Sequence, residues 1–172
     1  MTMEETVAGM VAGLRKGTLD SRRAIVHQLA DLGEEGVASI IEEMEREEDA
    51  DVRWYLAGAL VRIGEPAIEP LIEALVTSND DEARRYMAAA LGSLGEPAIR
   101  PLIDLLGSNR EDVRGYAALA LCRIGEPAVD PLLQSLDRTS GVQHTCAALT
   151  LWKMGELGPE ALQGYFEKKE EK

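Results

Sequence analysis

Apolar residues along the chain fall into short stripes with a recurring 3-1-3 step. Ile68, Leu71, Ile72 and Leu75 form one stripe. It recurs as Val37, Ile40, Ile41 and Met44, as Ile99, Leu102, Ile103 and Leu106, and as Val129, Leu132, Leu133 and Leu136. Val7, Met10, Val11 and Leu14 supply a fifth copy. Such a step puts each stripe on one face of an α-helix. A second set of inward positions alternates with these: Val52, Leu56, Ala59, Leu60 and Ile63, then Val113, Ala117, Ala120, Leu121 and Ile124. Ala88, Ala90, Ala118 and Ala120 are small enough to let neighbouring helices approach closely.

Glycines punctuate the pattern. Gly33, Gly64, Gly95, Gly125 and Gly155 are separated by 31, 31, 30 and 30 residues, a period that holds two short helices and two turns. The segments Ile63–Leu75, Leu94–Leu106 and Ile124–Leu136 are near copies, with Leu32–Met44 a degenerate one and Met154-Gly155-Glu156 a partial one. Each glycine stands just past a helix end, where a left-handed residue is expected. Pro66, Pro97 and Pro127 suit the first turn of the next helix, while Pro70, Pro101 and Pro131 either bend that helix or mark its true start. Asp20, Asp51, Glu82 and Asp112 stand where an N-cap or first-turn acid is wanted. The reading is an all-α chain of one domain, residues 1–172. Its units cover 3–33, 34–64, 65–95, 96–125 and 126–155, five helix pairs in all, with a cap over 156–172. The cap helix is expected over Pro159 to Lys169 on a stripe of Leu162, Tyr165 and Phe166, and Glu167 to Lys172 reads as a solvated end.

The chain resembles HEAT repeats, specifically the short HEAT-like repeats named after phycobilisome lyases. The carrying residues are the Pro-Leu-Ile of the first helix, Asp51-Val52-Arg53 and Asp112-Val113-Arg114 opening the second, and the Ala-Leu-x-x-Ile-Gly that closes it. The resemblance implies a right-handed α–α superhelix whose second helices line a concave face. It also implies that Arg22, Arg53, Arg84 and Arg114 join acids of adjacent turns in a structural ladder. The fifth unit departs, with Val142-Gln143-His144, which predicts a weakened ladder there. Function does not follow from such a scaffold.

Charge and chemistry narrow the classes. Asp plus Glu outnumber Lys plus Arg by 31 to 18, for a net charge of −13, which argues against duplex nucleic acid as a partner. No apolar run is long enough for a membrane span. Met1 to Lys16, with Glu4 and Glu5 near its front, does not read as a secretory signal. Cys122 and Cys146 form neither a CxxC nor a disulfide framework, and read as reduced and structural, which places the chain in the cytoplasm. His27 and His144 lie in the first and fifth units, too far apart to share a metal. The His-Glu pairs of the di-iron hydroxylases among HEAT-like proteins are missing from the sequence, and no P-loop or GxGxxG spacing occurs. No catalytic residue, cofactor or metal is expected.

Positions 10, 9, 6 and 2 before each glycine fall on one side of the second helix, beside its buried stripe. They read Arg23, Ala24, His27, Asp31; Trp54, Tyr55, Gly58, Arg62; Arg85, Tyr86, Ala89, Ser93; Gly115, Tyr116, Leu119, Arg123; and Thr145, Cys146, Leu149, Lys153. Tyr55, Tyr86 and Tyr116 hold one register in three successive repeats, with Trp54 beside the first. Five cations, Arg23, Arg62, Arg85, Arg123 and Lys153, face one acid, Asp31. The expected function is a non-catalytic scaffold whose groove takes a protein or peptide segment carrying acidic and apolar residues. Two alternatives stand beside it: a subunit of a bilin or cofactor lyase, and a self-assembling structural repeat that forms homo-oligomers. If the tyrosines line a groove, each is partly exposed; if they pack between repeats, they are buried. Trp152, three residues before Gly155, is expected in the core.

Overall fold

The computed structural model describes residues 1–171 and is helical throughout, with no strand among the described residues. Lys172, the last residue of the expected cap and charged tail, lies outside them. The helices are α1 (Met3–Lys16), α2 (Leu19–Asp31), α3 (Glu34–Arg46), α4 (Ala50–Ile63), α5 (Ile68–Thr77), α6 (Asp81–Leu94), α7 (Ile99–Leu105), α8 (Glu111–Ile124), α9 (Val129–Arg138), α10 (Gly141–Trp152) and α11 (Leu157–Glu170). This is the alternation of paired helices and closing helix that the stripes require.

Two compact units divide the chain, Met1–Leu94 and Gly95–Lys172. In the first, α1/α2, α3/α4 and α5/α6 are helix hairpins. The first helices pack on one another (α1 on α3, α3 on α5), and so do the second (α2 on α4, α4 on α6). In the second unit α7/α8 and α9/α10 are the hairpins, α7 packs on α9 and α8 on α10, and α11 covers α9 and α10. The stripes make the core: Val7, Val11, Leu14, Ile40, Met44, Leu71 and Leu75 are fully buried in the first unit, and Leu102, Leu106, Leu121 and Leu132 in the second. Each such aliphatic side chain contributes roughly 1.5–3 kcal/mol on burial.

The glycines close the second helices differently from the expectation. Gly64, Gly95 and Gly125 have φ of 88, 78 and 77° but ψ of −142, −140 and −138°, which is not the left-handed helical region. It is a corner of backbone space that essentially only glycine occupies. A Cβ on Gly64 would meet nothing within 4 Å, so the whole cost of a side chain there is backbone strain. Gly64→Ala is expected to lower unfolding free energy by about 1–3 kcal/mol, read from urea denaturation. An unchanged midpoint would show that the turn can adopt another geometry.

Each of the turns Glu65–Ala67, Glu96–Ala98 and Glu126–Ala128 is a single 3-10 turn holding Pro66, Pro97 or Pro127. The α-helix begins only afterwards, so Pro70, Pro101 and Pro131 are third helical residues and mark true starts. A first-turn amide has no intrahelical acceptor, so proline loses nothing there. Of the two expected roles, the acids take the first-turn one. Asp20, Asp51, Glu82 and Asp112 occupy first turns, while the capping side chains are Thr18, Asp49 and Asp80. Asp49 Oδ1 accepts from the amides of Asp51 and Val52, and Asp80 Oδ1 from those of Glu82 and Ala83.

A buried carboxylate follows α3. Burial works to raise the Glu47 pKa, but the Asp49 and Glu48 amides and Arg15, 2.8 Å away, outweigh it and hold the group below its usual range. A depressed folded pKa adds stability above the ordinary glutamate value of 4.5 that is lost as pH falls through the folded value. Glu47→Gln is therefore expected to flatten the acid limb of a stability-versus-pH curve below that value. A limb of unchanged steepness would count against the assignment.

The closing helix docks tightly. A Cβ on Gly158 would lie 1.7 Å from the Leu151 carbonyl oxygen, so only glycine admits α11 this close to the end of α10. Of its expected stripe Leu162 is buried and Tyr165 half-buried, donating to Asp137 at 2.8 Å, but Phe166 is exposed.

Candidate functional site

The second helices carry two sets of side chains, one turned to the hairpin and one to solvent. The inward set includes the arginines eleven residues before each glycine. Arg53 and Arg84 are buried. Arg53 Nε donates to the Met44 carbonyl at 3.2 Å, and Arg84 Nε donates to the Leu75 carbonyl at 3.0 Å, so each closes the C-terminal end of the first helix of its own hairpin. Their outer nitrogens meet acids: Arg53 pairs with Asp80 of the next hairpin, and Arg84 with Asp81 at 3.3 Å. Arg22 lies 3.9 Å from Asp51 of the next hairpin. Asp80 thus caps α6 and receives Arg53 at once. Burial works to raise its pKa, but the Ala83 amide and Arg53 prevail and hold it low.

In the second unit the pattern thins. Arg114 Nη1 donates to the Ser108 carbonyl at 2.8 Å. The N-cap position of α8 is Arg110, which pairs with Asp112 at 2.7 Å and gives no side-chain cap. His144 stands in the arginine register, and its Nδ1 lies 3.1 Å from the Leu136 carbonyl, the equivalent of Met44 and Leu75. A carbonyl only accepts, so Nδ1 carries the proton and imidazole performs half of the arginine's task. The sequence signal for this was its place eleven residues before Gly155.

The solvent face of the first unit comprises Arg23, His27, Trp54, Tyr55, Arg62, Arg85 and Tyr86. Trp54 is 60% exposed, while Tyr55 and Tyr86 are half-buried. The guanidinium carbon of Arg22 sits 5.5 Å from the centre of the Tyr55 ring. Arg62 Nη2 donates to His27 Nδ1 at 3.0 Å, which leaves that nitrogen unprotonated. Arg85 pairs with Glu82 of its own helix at 3.3 Å, both side chains exposed. Arg23 is exposed.

The corresponding face of the second unit is more apolar. Tyr116 is half-buried, whereas Leu119 and Leu149 are each 53% exposed. Arg123 and Lys153 are exposed at the C-terminal ends of α8 and α10. Trp152 is 66% exposed, which overturns its expected place in the core: α10 ends at this residue and the chain turns away. Cys122 and Cys146 are free and half-buried. Burial pushes the Cys122 thiol up against the opposing pull of Lys153, so it stays protonated and a poor nucleophile. Among the described residues no group of three or more His, Cys, Asp or Glu side chains could hold a metal ion, and no helix is long and apolar enough to cross a membrane.

A family model described as HEAT repeats matches residues 68–150, and one described as PBS lyase HEAT-like repeat matches residues 52–77. The two together span more than half of the chain. No curated protein matches. Among solved structures, the chain is similar to one from the complex of CpcE and CpcF of phycocyanin lyase from Nostoc sp. PCC7120, at 17% identity and TM-score 0.43 over 85% of this chain and 98% of that one. It is similar to a designed armadillo repeat protein at 18% identity and TM-score 0.34, covering 92% and 86% of the two chains. A computationally designed armadillo repeat protein for modular peptide recognition gives 18% identity and TM-score 0.32, covering 91% and 90%. The glycine period, the helix hairpins and the two matching models together show that the chain belongs to the HEAT-like repeat proteins.

Proposed function

We propose that this chain is a binding scaffold whose second helices take a protein or peptide segment carrying acidic and apolar residues. One observation carries the reading. Trp54, Leu119, Leu149 and Trp152 stand 60, 53, 53 and 66% exposed on second helices whose neighbouring positions are closely packed. Large apolar side chains that packing leaves in water mark interaction surfaces. Arg62, Arg123 and Lys153 flank them, and α10 contains no acidic residue at all. A partner with carboxylates beside aliphatic or aromatic anchors meets both features, and tryptophan and arginine are the side chains that concentrate binding energy. In this reading the chain does no chemistry of its own, and its two free cysteines support a reducing compartment such as the cytoplasm.

Selection of short random peptides displayed against the full chain tests the proposal. Enriched peptides are expected to combine Asp or Glu with Leu, Phe or Trp, and to lose affinity for Trp54→Ala or Trp152→Ala. Enrichment of basic peptides, or equal binding to wild type and both variants, would reject the site.

A further inference from the structure

The other side of the second unit holds a cavity of about 600 Å³ between the first helices α7 and α9. Small-molecule sites typically enclose about 300–1,000 Å³. Its origin is local. Helix α7 has seven residues where α5 and α9 have ten. It stops before Gly107, and the Ile103 carbonyl, which accepts from the Leu106 amide, also accepts from Gln143 Nε2 of α10 at 3.1 Å. The apolar part of its lining comes from Ile99, Ile103, Pro127 and Pro131.

Two features separate this place from the same groove elsewhere. Ser135, which lines the cavity, is 7% exposed, and its Oγ is buried without a hydrogen-bond partner. The third repeat has Ala74 in that register, so the hydroxyl is not a requirement of the fold. Around the cavity stand Arg100 and Arg138 with Glu96 and Asp104, and among the described residues none of the four makes an ion pair. The Arg100 and Arg138 registers are Ala38 and Thr77 on the two helices that form the equivalent groove in the first unit.

We propose that this cavity binds a short aliphatic peptide with free ends. The lining carries two positive and two negative side chains. A phosphate dianion gains from the arginines and loses to the acids, whereas a ligand with one charge of each sign is matched at both. The carboxylate accepts from Ser135 and Arg138, the ammonium donates to Asp104, and the apolar body lies on Ile99, Ile103, Pro127 and Pro131. This site is independent of the second-helix face and stands or falls apart from it.

The test is a titration of the ¹⁵N-labelled full chain with tri-leucine, read from amide chemical shifts. Shifts confined to α7, α9 and the start of α10 are expected. Ser135→Ala, whose unliganded spectrum and melting verify its fold, is expected to bind about tenfold more weakly, the scale of one charge-assisted hydrogen bond. Asp104→Asn, at an exposed position, is expected to weaken tri-leucine but not its N-acetyl form. The proposal is overturned if tri-leucine shifts nothing on α7 and α9, if the doubly end-blocked peptide binds equally well, or if inorganic phosphate displaces the peptide.

Discussion

Arg84→Ala is expected to destabilise the chain by about 3 kcal/mol, while the same change at its neighbour Arg85 costs less than about 0.5 kcal/mol. Arg84 is 1% exposed and belongs with the largest fully buried side chains. Truncation removes its hydrogen bond to the Leu75 carbonyl, leaving a buried acceptor unsatisfied, which alone costs about 1–3 kcal/mol. It also empties the volume of the arginine's aliphatic stem, and the rigid helix ends around it can fill that volume only in part. Asp81 adds little, because its side chain is 75% exposed and water solvates it once the pair is broken. Lysine at this position keeps the stem but cannot reach carbonyl and carboxylate with one fork, so Arg84→Lys should fall between the two. Equilibrium urea denaturation of the three variants decides the matter. Equal midpoints for Arg84→Ala and Arg85→Ala would show that the buried register is dispensable.

Trp54→Ala is expected to weaken binding of an enriched acidic peptide about thirtyfold, the equivalent of about 2 kcal/mol, with almost no change in melting temperature. Trp152→Ala is expected to act likewise on peptides that engage the second unit. Both indoles are mostly in water in the free chain, at 60 and 66% exposure, so the folded state gives up little when they are removed. The tyrosines are poorer probes. Tyr55 is half-buried beneath the Arg22 guanidinium, and its truncation would disturb stability and binding together. Isothermal titration of the selected peptide, paired with thermal melts, separates these effects. A drop in melting temperature as large as the loss of affinity would return the tryptophans to a packing role.

Much of the fold was legible because glycine, proline and the 3-1-3 stripes each constrain backbone or burial locally. Gly64 and its equivalents can be read from spacing, since only glycine tolerates the turn. What was not legible depends on neighbours. Trp152 has the phase of an inward residue, yet its helix ends there and the side chain is exposed. Periodicity describes a helix and carries no information about where its cover stops. Cap and first-turn acid stay undivided in the sequence because Asp49 and Asp80 are followed at once by further acids, and only the oxygen positions tell cap from neighbour. The cavity beside α7 arises from an early helix end at Gly107, in a repeat whose apolar stripe is otherwise intact.

The uneven capping of the second helices has a consequence for how the chain opens. The first-turn amides of α4 and α6 are held by Asp49 and Asp80, but α8 and α10 begin at Arg110 and Ser140 with no side-chain cap bond, and in α8 the Val113 amide is held by the Asp112 carboxylate beside it. Uncapped first turns fray at low free energy. Deuterium should therefore enter the starts of α8 and α10 well before those of α4 and α6. A protease that needs an unwound stretch of backbone should find its first cuts there, near Glu111 and Gly141.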